Sequence, residues 1–176
     1  TMEIKDVTKK YKDNIVLDNL SFSFDSSHIV GLIGKNGVGK TTIMKIMNGN
    51  IVNFDGKIIS NKKQNIGYLI EHPKLYQDLS GMKNLKSFSN ILGVQFDKDY
   101  ANKIIKAFDM AGYINKKVKK YSLGMKQKLA IAVSLINKPQ YLILDEPTNG
   151  MDPDGSIDVL NTIKNITNEF NMRVLI

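Results

Sequence analysis

"GLIGKNGVGKTT", residues 31–42, sets four glycines and two lysines between an apolar run and two threonines. Gly34, Gly39, Lys40 and Thr41 satisfy the spacing G-x-x-x-x-G-K-[ST], after a strand-like run and before a helix-like one. Glycines at this spacing let the backbone wrap closely, so that successive N–H groups turn inward as an anion nest. The helix that follows adds the positive end of its dipole, Lys40 adds a point charge toward terminal phosphates, and Thr41 offers a hydroxyl to Mg²⁺. The candidate nucleotide-binding residues are therefore Gly34, Lys35, Asn36, Gly37, Val38, Gly39, Lys40, Thr41 and Thr42. The competing reading is a glycine turn with an exposed lysine.

Working outward, "MEIKDV" and "LSFSF" (residues 20–24) alternate apolar and polar residues, as half-buried antiparallel strands do. "HIVGLIG" (28–34) is a continuous apolar run, which predicts a central strand covered on both sides. Residues 41–48 place Ile43, Met44, Ile46 and Met47 on one helical side, and "KIIS" and "IGYLI" read as further strands. Between Pro73 and Lys120 the period turns helical, through Leu85, Phe88, Ile91 and Leu92, then Tyr100, Ile104, Ile105, Phe108 and Ala111. The helical pattern resumes from Leu129 to Ile136 and stops before Pro139. "YLILD" is a second fully apolar strand; residues 155–170 predict a helix with Ile157, Leu160, Ile163 and Phe170 inward; "MRVLI" begins another buried strand. The order predicts an α/β fold: a P-loop NTPase core with a mostly parallel sheet, an N-terminal antiparallel β subdomain and a helical insertion. The expected division is one domain with its core at 1–71 and 139–176 and a helical subdomain at about 72–138.

The chain's 176 residues suffice for one domain with a real core. With no cysteine, disulfides and thiolate metal sites are excluded, and two histidines form no metal-ligand cluster. No apolar stretch approaches a membrane span and no signal peptide opens the chain, so a cytosolic location is expected. Net charge is +8, carried almost wholly by lysine, with Arg173 the one arginine. Such a surface suits a nucleotide, an anionic lipid or nucleic acid, but the arginine forks that read bases are missing. The densest basic run, "NKKVKKYS" (115–122), is either a solvated helix end or a phosphate or lipid contact.

"YLILDEP" (141–147) supplies the other half of a phosphate site. A buried strand there delivers Asp145 and Glu146 to its C-terminal edge, where open α/β sheets bind ligands. Asp145 suits the water shell of magnesium, and Glu146, one residue on, suits the polarising of an attacking water.

Together these motifs resemble the nucleotide-binding domain of ABC transporters over essentially the whole chain. "YSLGMKQKLAIA" (121–132) is similar to that family's LSGGQ signature: Ser122 and Gly124 match, whereas Leu123 and Met125 replace the usual glycine and glutamine. Ser122 is in any case a good N-cap, and the helix it opens could bind an anion or simply be capped. The resemblance implies that this end closes over the γ-phosphate held by a second copy. It also implies that Tyr11 in "TKKY" stacks on adenine, where a bland tyrosine would merely pack, and that Asp152 in "NGMDP" faces the partner copy. Glu71 stands where most members carry the Q-loop glutamine; it is either a magnesium-side carboxylate or a solvated loop acid.

Glu71 together with "SLGMKQ" is similar to the bacitracin- and lantibiotic-type peptide exporter ATPases. ATP and Mg²⁺ are then the implied cofactors. The implied partners are an integral membrane permease and a second copy, with no nucleic acid, at the inner face of the cell membrane. Lys40 and Glu146 are the implied catalytic residues; Thr41, Asp145 and Glu71 are the implied metal-side residues. A non-transport ABC ATPase working on ribosomes or DNA is the alternative, and a P-loop kinase or GTPase a more distant one. The family also carries a switch histidine after the strand corresponding to "MRVLI"; the chain stops at Ile176, so a clipped domain that binds nucleotide but turns it over poorly is expected.

Overall fold

The computed structural model describes residues 2–24, 29–32, 38–60, 66–69 and 74–176. Strands β1 (Met2–Tyr11), β2 (Asn14–Ser23) and β4 (Asp55–Ser60) form an antiparallel sheet in the order β2-β1-β4. Strands β3 (Ile29–Val30), β5 (Ile66–Leu69), β6 (Tyr141–Leu144) and β7 (Arg173–Leu175) form a parallel sheet in the order β3-β7-β6-β5. Helix α1 (Val38–Met47) begins within the phosphate-loop motif and carries its Gly39, Lys40 and Thr41. Helices α2 (Gly81–Ile91), α3 (Lys98–Ala107) and α4 (Leu123–Leu135) come between β5 and β6, and α5 (Pro153–Glu169) joins β6 to β7.

The expected α/β architecture is present: a P-loop NTPase fold with an antiparallel β portion, a parallel sheet and an inserted run of helices. Its parallel sheet is covered on two faces, and β6 decides the layering. All four of its side chains are buried, and they alternate. Tyr141 and Ile143 join Leu175 against α1 and the antiparallel sheet, with Phe24 edge-on to Tyr141 at 5.4 Å. Leu142 and Leu144 join Val174 against α4 and α5. That second cluster runs without a break into the helices, through Leu129, Phe108, Ile104 and Leu85. In β1, Met2 and Ile4 point inward; Asp6, with φ at 53°, breaks the alternation and lets Val7 turn inward as well.

Two sequence expectations are corrected. Of the 28–34 run, Ile29 and Val30 form β3, which among the described residues lies at the sheet's edge and not at its centre, paired to β7 alone, with Ile29 38% exposed. In α5 the inward residues are Val159, Thr162, Ile163, Ile166 and Thr167, whereas Ile157 and Leu160 are exposed. Thr162 and Thr167 donate their hydroxyls to the Asp158 and Lys164 carbonyls, so both can be buried without an orphaned donor. The helical spacing read through Leu85 to Leu92 is that of α2; Leu85 is buried there, while Ile91 and Leu92 are exposed where the helix ends.

Candidate nucleotide site

Thr41 and Asp145, one from each half of the expected phosphate site, meet at the C-terminal end of β6. Thr41, in the first turns of α1, donates its hydroxyl to Asp145 Oδ2 at 2.6 Å. The partners are 104 residues apart in sequence and both are half-buried. A hydroxyl and a carboxylate oxygen side by side are hard donors of the kind that Mg²⁺ prefers, so these residues fit that cation. Gly39 brings the start of α1 close to β2: a Cβ there would sit 3.2 Å from the Val16 carbonyl oxygen. Lys40 is partly buried in the next position, and Thr42 is buried. Gly34, Lys35, Asn36 and Gly37 lie outside the described residues, as does Glu71; Val38 is described as the first residue of α1.

Glu146 follows Asp145 with φ at +45°, a left-handed conformation unusual for a residue with a side chain. It is exposed, and its carbonyl accepts the Asn149 N–H at 3.0 Å, closing a tight turn. Glu146, Thr148 and Asn149, together with Leu160 and Ile176, line an open cavity of about 550 Å³.

The signature-like segment opens α4. Ser122 is its N-cap, accepting the Met125 N–H at 3.2 Å, and the Met125 sulfur accepts the Ser122 N–H at 3.4 Å. The thioether thus closes the capping box that a glutamine carboxamide would otherwise close. Gly124 has open space where a Cβ would lie, so packing within the chain gives no reason for glycine there. Asp152 is likewise an N-cap, accepting the Gly155 N–H at the start of α5. Tyr11 ends β1 with 45% exposure, and Lys9 Nζ lies over its ring at 4.9 Å.

Two further features were not singled out from the sequence. Asn84, fully buried on α2, holds the turn at 76–80 through bonds to the Tyr76 N–H and to the Tyr76 and Ser80 carbonyls. Lys128 on α4 is buried and ion-paired to Asp158 on α5. Its signal was a lysine directly before the apolar run "LAIAVSL", on a helix with no polar face to receive it. Near this pair, burial pushes the Tyr113 phenol well above its ordinary range, helped by the neighbouring Tyr121, Asp158 and Asp109.

The glycine-rich sequence that runs into α1, together with the Thr41 hydroxyl bonded to the acidic end of β6, defines the class of P-loop nucleotide-binding proteins. Comparison with known proteins narrows this. The family model described as "ABC transporter" matches residues 17–149, and the chain belongs to that family. It is 36% identical to the uncharacterized ABC transporter ATP-binding protein YhcH of Bacillus subtilis, over 99% of the chain and 60% of YhcH. It is 38% identical to the lantibiotic transport ATP-binding protein SrtF of Streptococcus pyogenes, over 96% of the chain and 76% of SrtF. It is 35% identical to the bacitracin transport ATP-binding protein BcrA of Bacillus licheniformis, over 97% of the chain and 59% of BcrA. The chain thus spans about three fifths of the length of YhcH and BcrA. The expected likeness to bacitracin- and lantibiotic-type ATPases is borne out. Among solved structures, cbiO1 from Clostridium perfringens, part of the ABC transporter complex cbiONQ, superposes with a TM-score of 0.84 over 99% of the chain and 76% of cbiO1, at 22% identity. That likeness concerns the fold. No helix among the described residues is long and apolar enough to cross a membrane.

Proposed function

We propose that the chain binds MgATP and hydrolyses it as the motor subunit of a membrane exporter, working as a dimer with two nucleotides between its copies. The observation that carries the reading is the 2.6 Å bond from the Thr41 hydroxyl to Asp145, which joins the phosphate loop to the acidic end of β6. Residues 34–42 cradle the phosphates, and Lys40 answers the charge that builds on the terminal phosphoryl group. Thr41 and Asp145, with Glu71 at the water shell, would hold Mg²⁺. When bound, that ion neutralises phosphate charge and orients the β- and γ-oxygens. Glu146 holds the attacking water and takes its proton while the water oxygen bonds to the γ-phosphorus and ADP leaves. Tyr11 stacks on the adenine. Ser122 and Gly124 of the second copy close over the γ-phosphate, an approach that the open space at Gly124 supports, and Asp152 faces that copy.

On this reading the helical segment, about 72–138, moves against an integral membrane permease at the inner face of the membrane. The lantibiotic and bacitracin transport relatives support a peptide antibiotic or related amphiphile as the cargo. Glu146→Gln, made in the intact protein, tests the chemistry: MgATP should still bind while turnover falls by about 100-fold or more. Hydrolysis continuing at the unmodified rate would remove Glu146 as the base. Co-purification of a membrane permease with the intact protein tests the partner; recovery of rRNA or DNA in its place would favour a non-transport role.

A further inference from the structure

Helices α4 and α5 begin side by side, and one ion pair ties them. Lys128, in the second turn of α4, is 7% exposed, and its Nζ lies 2.6 Å from Oδ2 of Asp158, in the second turn of α5. The two ends are unequal: the Asp158 side chain is 62% exposed and that of Lys128 only 9%. An ammonium group is costly to bury, and its attraction to one half-solvated carboxylate does little more than offset that cost. Leu129, Ala130, Ile131 and Ala132, which follow on the same helix, are all buried, so a methionine at 128 would pack there without the desolvation penalty. A lysine at this point therefore favours one helix-to-helix geometry more than it favours stability.

What that geometry holds is visible beyond the pair. The two helix starts face each other across an open cavity of about 410 Å³, with Ser122, Gly124 and Met125 on one wall and Gly150, Met151 and Asp152 on the other. Asp152 lies six residues after Glu146 on the same short connection.

We infer that Lys128 is a positioning residue: through Asp158 it fixes the Ser122 end of α4 against the 146–152 connection. The end offered to one nucleotide and the carboxylate serving the other then move as one body. The inference rests on the two-copy ATP reading above. A misplacement of about 1 Å at either end is enough to slow phosphoryl transfer, while the phosphate cradle, built on α1, is untouched.

The test uses the intact protein with its membrane subunit, comparing Lys128→Met, Lys128→Arg, Asp158→Asn and the double variant Lys128→Met/Asp158→Asn. Lys128→Met should keep KM for ATP within about twofold and lower kcat about tenfold or more, and Lys128→Arg should restore most of kcat. Asp158→Asn, which strands the buried ammonium, should also lower Tm; the double variant should recover Tm but not kcat. Wild-type kcat in Lys128→Met, or recovery of kcat together with Tm in the double variant, would overturn the inference. The underlying reading has its own control. If Glu146→Gln with MgATP fails to bring two copies together, the sandwich falls and the inference with it. If it dimerises and Lys128→Met turns over normally, the inference alone is wrong.

Discussion

Glu146 shows how one residue carries two kinds of demand. Its φ of +45° costs roughly 1–2 kcal/mol for a residue with a Cβ, yet nothing in the turn calls for a glutamate. A glycine would take this conformation without strain, although it would add freedom to the unfolded chain. Glu146→Gly should accordingly raise the stability to unfolding by a few tenths to about 1 kcal/mol, read as the midpoint of denaturant unfolding, while on the proposed function turnover would be lost. A drop in the midpoint would mean that the carboxylate itself holds the turn. Asp145 contrasts with it: half-buried and bonded to Thr41, it is ordered by its partner and carries no left-handed backbone.

At the scale of elements, close approach decides which substitutions the sheet tolerates. Gly67 in β5 runs so near the end of α4 that an added Cβ would fall on the Ser134 carbonyl oxygen and press on Pro139. Backbone atoms cannot step aside as side chains do. Gly67→Ala should therefore cost about 2–3 kcal/mol, measured by denaturant unfolding, and a loss under about 0.5 kcal/mol would show that the strand can shift away from α4.

The same scale shows what patterning could and could not reveal. Strand β6 and helix α1 were legible because burial on all sides, or on one side, leaves a periodic mark, and the meeting of Thr41 with Asp145 was legible because the spacing of their motifs is so constrained. The phase of α5 was not. Thr162 and Thr167 satisfy their hydroxyls within the helix and so can take inward places that polarity alone assigns to solvent, which leaves Ile157 and Leu160 outside. Nor was the edge position of β3, since an apolar run states how much a strand can bury and not which strands flank it. The Lys128–Asp158 pair was hidden because neither sequence position names its partner across two helices.

For the whole molecule, the phenols set the alkaline limit. Burial pushes the Tyr100 hydroxyl from an ordinary 10.0 up to about 12, with nearby Asp97 adding to the shift. It raises the Tyr113 and Tyr121 phenols too. The unfolded chain releases these protons from about pH 10 while the folded chain retains them, so high pH favours unfolding. Their contribution to stability is intact below about pH 10 and is lost as the pH climbs toward 12. Denaturant midpoints should fall steadily across that window, and less steeply in Tyr113→Phe, whose parent hydroxyl is buried without a hydrogen-bond partner among the described residues. A flat profile, or one unchanged by the substitution, would contradict this.

The bond from Thr41 to Asp145 also has a consequence in time. It closes a span of 104 residues, and the parallel sheet around it pairs strands that are far apart in the chain. Contacts of such long range form late, because the closure entropy must be met before they give any return. During synthesis the glycine loop therefore leaves the ribosome long before the carboxylate it needs, at roughly 5–20 residues per second a delay of several seconds or more. Until β6 emerges, the nascent chain carries a phosphate loop whose threonine has no acidic partner. On the proposed function, tight MgATP binding is thus a late event, and a nucleotide added during translation should lock in chains that have already threaded both halves of the sheet.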